Sequence, residues 1–236
     1  EQKESKDERP CRDRLAAETS YTTGLRADEV AKLTIHQILN LRIPDEASDD
    51  EEIPLWVIKT KRLKPRFVYL PVYLLKELPA YIDGERNNCI DVAKTHWLKS
   101  KAQRPKELFL NSADARQHSG KSVHADILSR GFRRAVLATG LVRNKTKVDP
   151  ETGETYLVDA AMYTFHDLRH SFAIDFYLSS VEAGHPTPWL ELKARLGHAH
   201  LSTTMDTYLR HVTHADKKQT VHSITFTQGR RIYSGN

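Results

Sequence analysis

The chain has 236 residues, of which 39% are hydrophobic and 28% are charged, and its mean hydropathy is −0.58. This length suffices for one large domain or two small ones with a buried core, and two cysteines are too few for a disulfide framework or a four-thiolate zinc site. No apolar run approaches the ~18 residues of a membrane span, so we expect a cytoplasmic protein without membrane contact. The net charge of +5 permits a nucleic-acid partner but does not require one.

The first fifty residues predict a charged segment, two helices and a strand. Residues 1–13 are mostly charged and are interpreted as the remainder of an interdomain linker. Apolar residues at helical spacing begin near Arg14, the pattern breaks at 22–24, and a second helix is predicted from Ala27. Residues 35–43 predict a strand that Pro44 closes. The acidic segment 45–52 is expected to be an exposed loop.

The rest of the chain predicts a hairpin followed by helices. Two β-rich segments, 54–58 and 66–70, flank a polar connection. A segment around 145–158 is interpreted as an extended turn between two helices. Helical patterns cover 72–83, 86–101, 122–139, 166–182, 188–196 and 201–210. The sequence therefore predicts a mainly α fold with a small three-stranded antiparallel sheet (α+β).

Basic residues concentrate in the predicted connection of the hairpin. Five of them fall within eight positions, a few residues after the acidic loop: Lys59, Lys61, Arg62, Lys64 and Arg66. Such a run is either an ordinary solvated turn or an edge of the sheet that faces a polyanion. The sequence alone leaves both interpretations open.

A second group of polar and charged side chains lies at 166–173. On a helix, His166, Arg169 and His170 share one face, because positions three and four apart are neighbours. Three donors on one face suit an anion, and the planar fork of arginine suits phosphate. The alternatives are a surface arginine at a helix start, or a metal site that uses the His pair at i and i+4. The arginine between the two histidines disfavours a metal ion.

Two further segments carry candidate groups. Gly197 is a predicted helix stop that places His198 on a turn, and Tyr208 lies beside the apolar stripe of the next predicted helix. Near the other end of the chain, Arg26 follows the turn at Gly24, and Glu29 is close enough to hold its guanidinium. Each segment alone also fits a structural role, as a core-edge tyrosine or a local surface ion pair.

In this order and spacing, the segments resemble the catalytic domain of the tyrosine recombinases, the phage integrase family. Residues 23–29 resemble the first box of that family, 166–173 the second, and 196–208 the last histidine and the tyrosine. The basic hairpin occupies the place of the family's lysine. The resemblance spans residues 14–214, and implies that 215–236 form a tail that can be exchanged between subunits. It also implies that this catalytic domain is separated from an upstream DNA-binding domain.

The resemblance implies that the chain cleaves and rejoins DNA at specific sites through a 3′-phosphotyrosyl intermediate, without metal, ATP or another cofactor. Tyr208 would be the nucleophile. Lys61 is preferred over Lys59 as the lysine because it precedes Arg66 by five residues. Glu29 and Lys59 would support the site. The implied catalytic set is Arg26, Lys61, His166, Arg169, His198 and Tyr208. The implied DNA-binding set is Arg62, Lys64, Arg66 and His170.

The partner implied is double-stranded DNA, at a bacterial nucleoid, with a homotetramer on DNA and a monomer possible in the free state. Three alternatives stay open at this stage. The first is a type IB topoisomerase or telomere resolvase with the same catalytic groups. The second is a DNA-binding protein without catalysis. The third is a metal hydrolase that uses His166, His170 and His198.

Overall fold

The structure, a computed structural model, describes residues 11–58 and 65–198. Contacts divide the chain into two units, one up to Phe172 and one from Ala173. Within the described residues, no helix has both the length and the apolar character that a membrane span requires. The α-helices are α1 (Arg12–Thr23), α2 (Ala27–Val30), α3 (Ile35–Leu39), α4 (Val72–Tyr81), α5 (Asn87–His96), α6 (Ala125–Ala138), α7 (Phe165–Glu182) and α8 (Pro188–Leu196).

The strands form two separate antiparallel hairpins. Strand β1 (Glu52–Val57) pairs with β2 (Arg66–Pro71), as the sequence predicts. Strand β3 (Val142–Val148) pairs with β4 (Thr155–Ala161), in a segment where the sequence predicts only an extended turn. The mainly α architecture with small antiparallel sheets is confirmed. The predicted sheet of three strands is replaced, in the described residues, by two sheets of two strands each.

The segment predicted as a strand over 35–43 is wrong, because its first half is the helix α3. Thr34 lies at the N-cap, where its hydroxyl accepts a hydrogen bond from the backbone N–H of Gln37. The side-chain oxygen of Gln37 accepts a hydrogen bond from the N–H of Thr34 in return. This reciprocal capping box satisfies two backbone donors that would otherwise lack partners at the helix start. The local cap therefore outweighs the β-branched residues that suggested a strand.

The core of the first unit lies between α1, α4 and the first hairpin. Alternate residues of β1 are buried, so one face of the hairpin packs inward and the other is exposed. The largest fully buried apolar side chains in the described part of this unit are Tyr81, Phe109, Leu15, Leu25, Leu33, Leu55, Leu70, Leu74, Leu78 and Leu108. This core fixes the end of α1 and the start of β2, which carry residues of the candidate site.

In the second unit, α8 ends at a left-handed glycine, as the sequence predicts. Gly197 has φ 70°, a conformation that costs a residue with a side chain ~1–2 kcal/mol. The N–H of His198 donates to the carbonyl of Lys193, which closes the helix end. Leu192 and Leu196 form the buried stripe of α8. Outside this stripe, the ring of Tyr177 stacks on Trp189 at 4.0 Å between centroids.

Candidate active site

A glycine turn presents Arg26 at the start of α2. Helix α1 ends at Thr23, and Gly24 takes the left-handed conformation with φ 68°, so that its N–H donates to the carbonyl of Ser20. The chain then leaves α1 and Arg26 occupies the N-cap of α2. The Arg26 side chain is 33% exposed, although its Nη1 is buried, and its backbone is fixed.

A buried carboxylate, that of Glu29, organises the site. Glu29 is only 1% exposed. Its Oε1 accepts a hydrogen bond from Nη1 of Arg66 at 2.7 Å, and its Oε2 accepts one from Nη2 of Arg66 at 3.1 Å. Oε2 also accepts from the backbone N–H of Arg26 at 2.9 Å. Paired and capped in this way, the charge of Glu29 avoids the large cost of an isolated buried ion.

Arg169 on α7 joins the same cluster from below the surface. It is 1% exposed, and its Nη1 donates to the carbonyl of Gly24 and lies 3.8 Å from Oε2 of Glu29. Nη1 of Arg26 lies 4.0 Å from the same carboxylate oxygen and makes no hydrogen bond within the described part of the chain. Three guanidinium groups thus surround one carboxylate, and the excess positive charge favours an anion at the exposed side of the cluster.

Two histidines of α7 lie next to the arginines. The rings of His166 and His170 meet edge to face with centroids 4.7 Å apart, which confirms that they share a helix face. The pKa of His166 is lowered from its usual value by partial desolvation and by the charges of Arg169 and Arg26. The neutral imidazole is therefore favoured at neutral pH. This is the form that can accept a proton.

The structure brings together six of the candidate residues in the first unit. Five of them are linked by the contacts and charges above: Arg26, Glu29, Arg66, His166 and Arg169. The sixth, His170, meets the ring of His166 edge to face. His198 belongs to the second unit and follows the end of α8. Several predicted residues lie outside the described part of the chain: Lys59, Lys61, Arg62, Lys64 and Tyr208.

Arg66 has a different position from the one that the sequence suggests. The resemblance implies that Arg66 contacts DNA, but it is 7% exposed and both of its terminal nitrogens donate to Glu29. This placement disfavours a direct DNA contact and favours a role in holding Glu29. The sequence offered one signal for it, since Arg66 begins a strand whose alternate residues are apolar, so its side chain shares a face with the buried Val68.

The second hairpin carries a basic surface that the sequence-based predictions do not include. Period-two spacing places three cations of β3 on one face, and their cross-strand partners on β4 are not carboxylates. The three side chains are exposed, and no described carboxylate lies within ion-pair distance of any of them. We call this surface the basic face: Arg143, Lys145 and Lys147. Its alternation was visible in the sequence once a strand was allowed there.

The described residues contain no group of three or more His, Cys, Asp or Glu side chains arranged to hold a metal ion. In the first turn of α7, the carboxylate of Asp167 is engaged in capping: it accepts hydrogen bonds from the backbone N–H of Thr164 at 2.6 Å and from its hydroxyl at 2.8 Å. The charges of Arg169 and Arg26 both act on His166, against that of Asp167, and this excess of positive charge suits an anionic ligand.

Comparison with known proteins shows which family and fold the chain resembles. The family model described as the phage integrase family matches residues 2–215. No curated protein matches the chain. Among solved structures, XerH site-specific recombinase in a post-cleavage complex with a palindromic difH substrate is similar over 92% of this chain and 46% of its own, with 20% identity and a TM-score of 0.50. XerA recombinase is 17% identical over 92% of this chain and 68% of its own, with a TM-score of 0.45. The chain thus spans less than half the length of XerH.

Proposed function

The chain belongs to the phage integrase family, and we propose that it is a site-specific DNA strand transferase that works through a covalent 3′-phosphotyrosyl intermediate. DNA in the solved complex of XerH supports double-stranded DNA as the substrate class. The observation that carries the proposal is the cluster of Arg26, Arg66 and Arg169 around the single buried carboxylate of Glu29.

The cluster suits the charge that develops during phosphoryl transfer. As a nucleophile attacks phosphorus, negative charge accumulates on the non-bridging oxygens, and donors that are already in place stabilise it without reorganising. Arg26 provides a partly exposed guanidinium. Arg169 adds its charge from beneath, where water screens it little, and holds the carbonyl of Gly24 in the turn that presents Arg26. A direct contact of Arg169 with phosphate would require its guanidinium, which is buried here, to become accessible when DNA binds.

The remaining candidate residues each have a role in the bond changes of strand transfer. The phenol oxygen of Tyr208 forms a bond to phosphorus while the bond from phosphorus to the 5′-oxygen breaks, so the phosphodiester is exchanged and neither water nor ATP is consumed. A phenol with a pKa near ~10 needs a base, and neutral His166 takes its proton. Lys61, with Lys59 as the alternative, protonates the departing 5′-oxygen. His198 donates a hydrogen bond to a non-bridging oxygen.

Contacts with the DNA backbone are assigned to Arg62 and Lys64, to His170, and to the basic face of the second hairpin. Alternate residues of an antiparallel strand lie ~6.8 Å apart, so the three cations form a row on the hairpin that can follow the phosphates of a DNA strand. The 3′-phosphotyrosyl chemistry needs no cofactor. On paired sites we expect a homotetramer. In the absence of DNA we expect a monomer, because a single chain supplies all the residues of the arginine cluster.

The test is covalent capture on a suicide substrate, a duplex nicked near the cleavage point so that the short fragment that leaves with a 5′-hydroxyl diffuses away after attack. We expect a protein–DNA adduct that survives denaturation and forms equally in EDTA. Tyr208→Phe should abolish the adduct and retain DNA binding, whereas Tyr163→Phe, a control at an exposed tyrosine, should behave as wild type. An adduct formed by Tyr208→Phe would refute the assignment of the nucleophile.

Two further measurements define the type of activity. Arg26→Lys should slow adduct formation about 10²–10³-fold, because a point charge does not replace the planar fork. Incubation with supercoiled plasmids then separates a recombinase from a topoisomerase. Strand exchange that requires two copies of a site supports the proposal, whereas relaxation of any plasmid without site preference assigns the topoisomerase reaction instead.

A further inference from the structure

A cavity of about 260 Å³ lies in the first unit, apart from the residues of the candidate active site. It is formed where the segment after α5 passes the start of α3. Its lining contains several cationic or hydrogen-bonding side chains and no carboxylate: His36, Arg86, Asn87, Lys101, Arg104 and Lys106. The cavity therefore concentrates positive charge in a concave surface without a carboxylate in its lining.

Arg86 forms the floor of this cavity. The residue as a whole is 5% exposed. Nε donates to the carbonyls of Glu107 and Leu108, at 3.2 and 3.1 Å, and Nη2 donates to those of Pro105 and Glu107, both at 2.9 Å. These bonds use one edge of the planar group. Nη1 carries two further N–H donors, which have no hydrogen-bond acceptor among the described residues.

The other cations at the cavity also lack acidic partners in the described part of the chain. Lys101, Arg104 and Lys106 are exposed, and no described carboxylate lies within 4.0 Å of their charged nitrogens. The carboxylate of Glu107 is nearby, but it accepts a hydrogen bond from the hydroxyl of Ser122 at 2.7 Å. Burial lowers the pKa of Arg86, and the charge of Arg104 adds to this effect, whereas Tyr81, Glu107 and Cys89 oppose it. An anion would relieve this repulsion.

We propose that this cavity binds a phosphate group, with Nη1 of Arg86 as the oriented donor in its lining and Lys101, Arg104 and Lys106 as the surrounding charges. A guanidinium held along one edge by backbone carbonyls is already oriented, so little side-chain entropy is lost when its remaining donors bind an oxyanion. The phosphate is either a group of the DNA backbone, at a distance from the cleavage site, or a free phosphate compound.

Occupation of the cavity has a structural consequence for the neighbouring segment. The backbone N–H of Ile35 donates to the carbonyl of Lys106, and that of Leu108 donates to the carbonyl of Leu33. Residues 101–107 are thus attached to the beginning of α3 at one end of the cavity. A phosphate that bridges Arg86 to Lys101 and Arg104 would fix the other end of this segment.

The experiment is calorimetric titration of the full chain with pyrophosphate at constant ionic strength, with sodium chloride as the reference. We expect saturable binding by the wild type. The double variant Lys101→Gln with Arg104→Gln should bind at least tenfold more weakly. Lys99→Gln, which removes an exposed charge from the same segment but outside the cavity, should bind as the wild type does. Absence of saturable binding, or equal binding by the double variant, would overturn the proposal.

A second arm identifies the source of the phosphate. If the group belongs to DNA, the double variant binds a recombination half-site more weakly and pyrophosphate competes with the half-site. If it belongs to a free compound, half-site affinity is unchanged and pyrophosphate binds in the presence of DNA. The adduct assay with Tyr208 is independent of both arms, so failure of this proposal and failure of the proposed function give different results.

Discussion

Replacement of the buried carboxylate by an amide, Glu29→Gln, tests the organisation of the active site most directly. The amide keeps the size of the side chain but removes its charge, and its NH2 group points at donors that previously bound an oxygen. Arg66 then loses one of its two hydrogen bonds, and the nearby guanidinium of Arg169 loses its opposing charge. Both arginines are almost fully buried, so water cannot compensate.

The expected loss of stability follows from the burial of the partners. Removing one member of a buried ion pair costs ~3–5 kcal/mol because an uncompensated charge stays behind. For a chain of 150–250 residues, each kcal/mol lowers the melting temperature by ~2–4 °C, which gives a decrease of about 6–20 °C. Arg66→Met should cost less, because the carboxylate of Glu29 then keeps the N–H of Arg26 and the charge of Arg169.

Urea unfolding, followed by circular dichroism, measures these differences. Asp28→Asn is the matched control: this neighbouring carboxylate is 42% exposed and pairs with Lys32 at 3.3 Å, an arrangement worth ~0.2–1 kcal/mol. A midpoint of Glu29→Gln equal to that of Asp28→Asn would refute the central role of Glu29. If Arg66→Met costs as much as Glu29→Gln, the carboxylate serves Arg66 alone and does not organise Arg26 and Arg169.

Three further outcomes are expected from charge and backbone geometry. Arg26→Gln should raise the pKa of His166, which NMR titration measures. Because folding lowers that pKa, the free energy of unfolding decreases as the pH falls below ~6.5. The variant should show a smaller decrease. Replacing the basic face by three glutamines should weaken DNA binding at all sequences and reduce the salt slope by about three, and an unchanged slope would exclude this contact. Gly120→Ala should destabilise more than Gly140→Ala in thermal unfolding: both have positive φ, but an added Cβ at Gly120 meets a backbone carbonyl at 2.7 Å and at Gly140 meets nothing within 4 Å.

The elements that the sequence predicted correctly are those with an extended local pattern. The first hairpin, α7 and the glycine stop at Gly197 each depend on periodicity or on a single backbone requirement. The two errors have local causes. Over 35–39, the capping box of Thr34 and Gln37 selects a helix where the apolar residues of 35–43 were interpreted as a strand. Over 142–161, both strands are largely exposed, so neither shows the alternation of apolar residues by which half-buried strands are recognised.

The candidate site was predicted by residue type but not by its connections. The sequence associated Glu29 with Arg26, three positions away, and this contact exists through the backbone N–H of Arg26. The stronger partner is Arg66, 37 positions away, which only the packing of β2 against the core brings to Glu29. Spacing along a chain reports neighbours within one helix, whereas a pairing between a helix and a strand depends on tertiary structure.

The two sites proposed to bind anions differ in the groups that orient their arginines. In the candidate active site, the carboxylate of Glu29 orients Arg66 and neutralises part of the positive charge, while Nη1 of Arg26 keeps donors without a hydrogen-bond partner among the described residues. At the second cavity, neutral carbonyls orient Arg86, and none of its charge is neutralised by the groups that hold it. A site of the first kind loses its framework when one carboxylate is removed. A site of the second kind keeps its framework without its ligand, and so gains stability only when the ligand binds, in proportion to RT ln(1 + [L]/Kd).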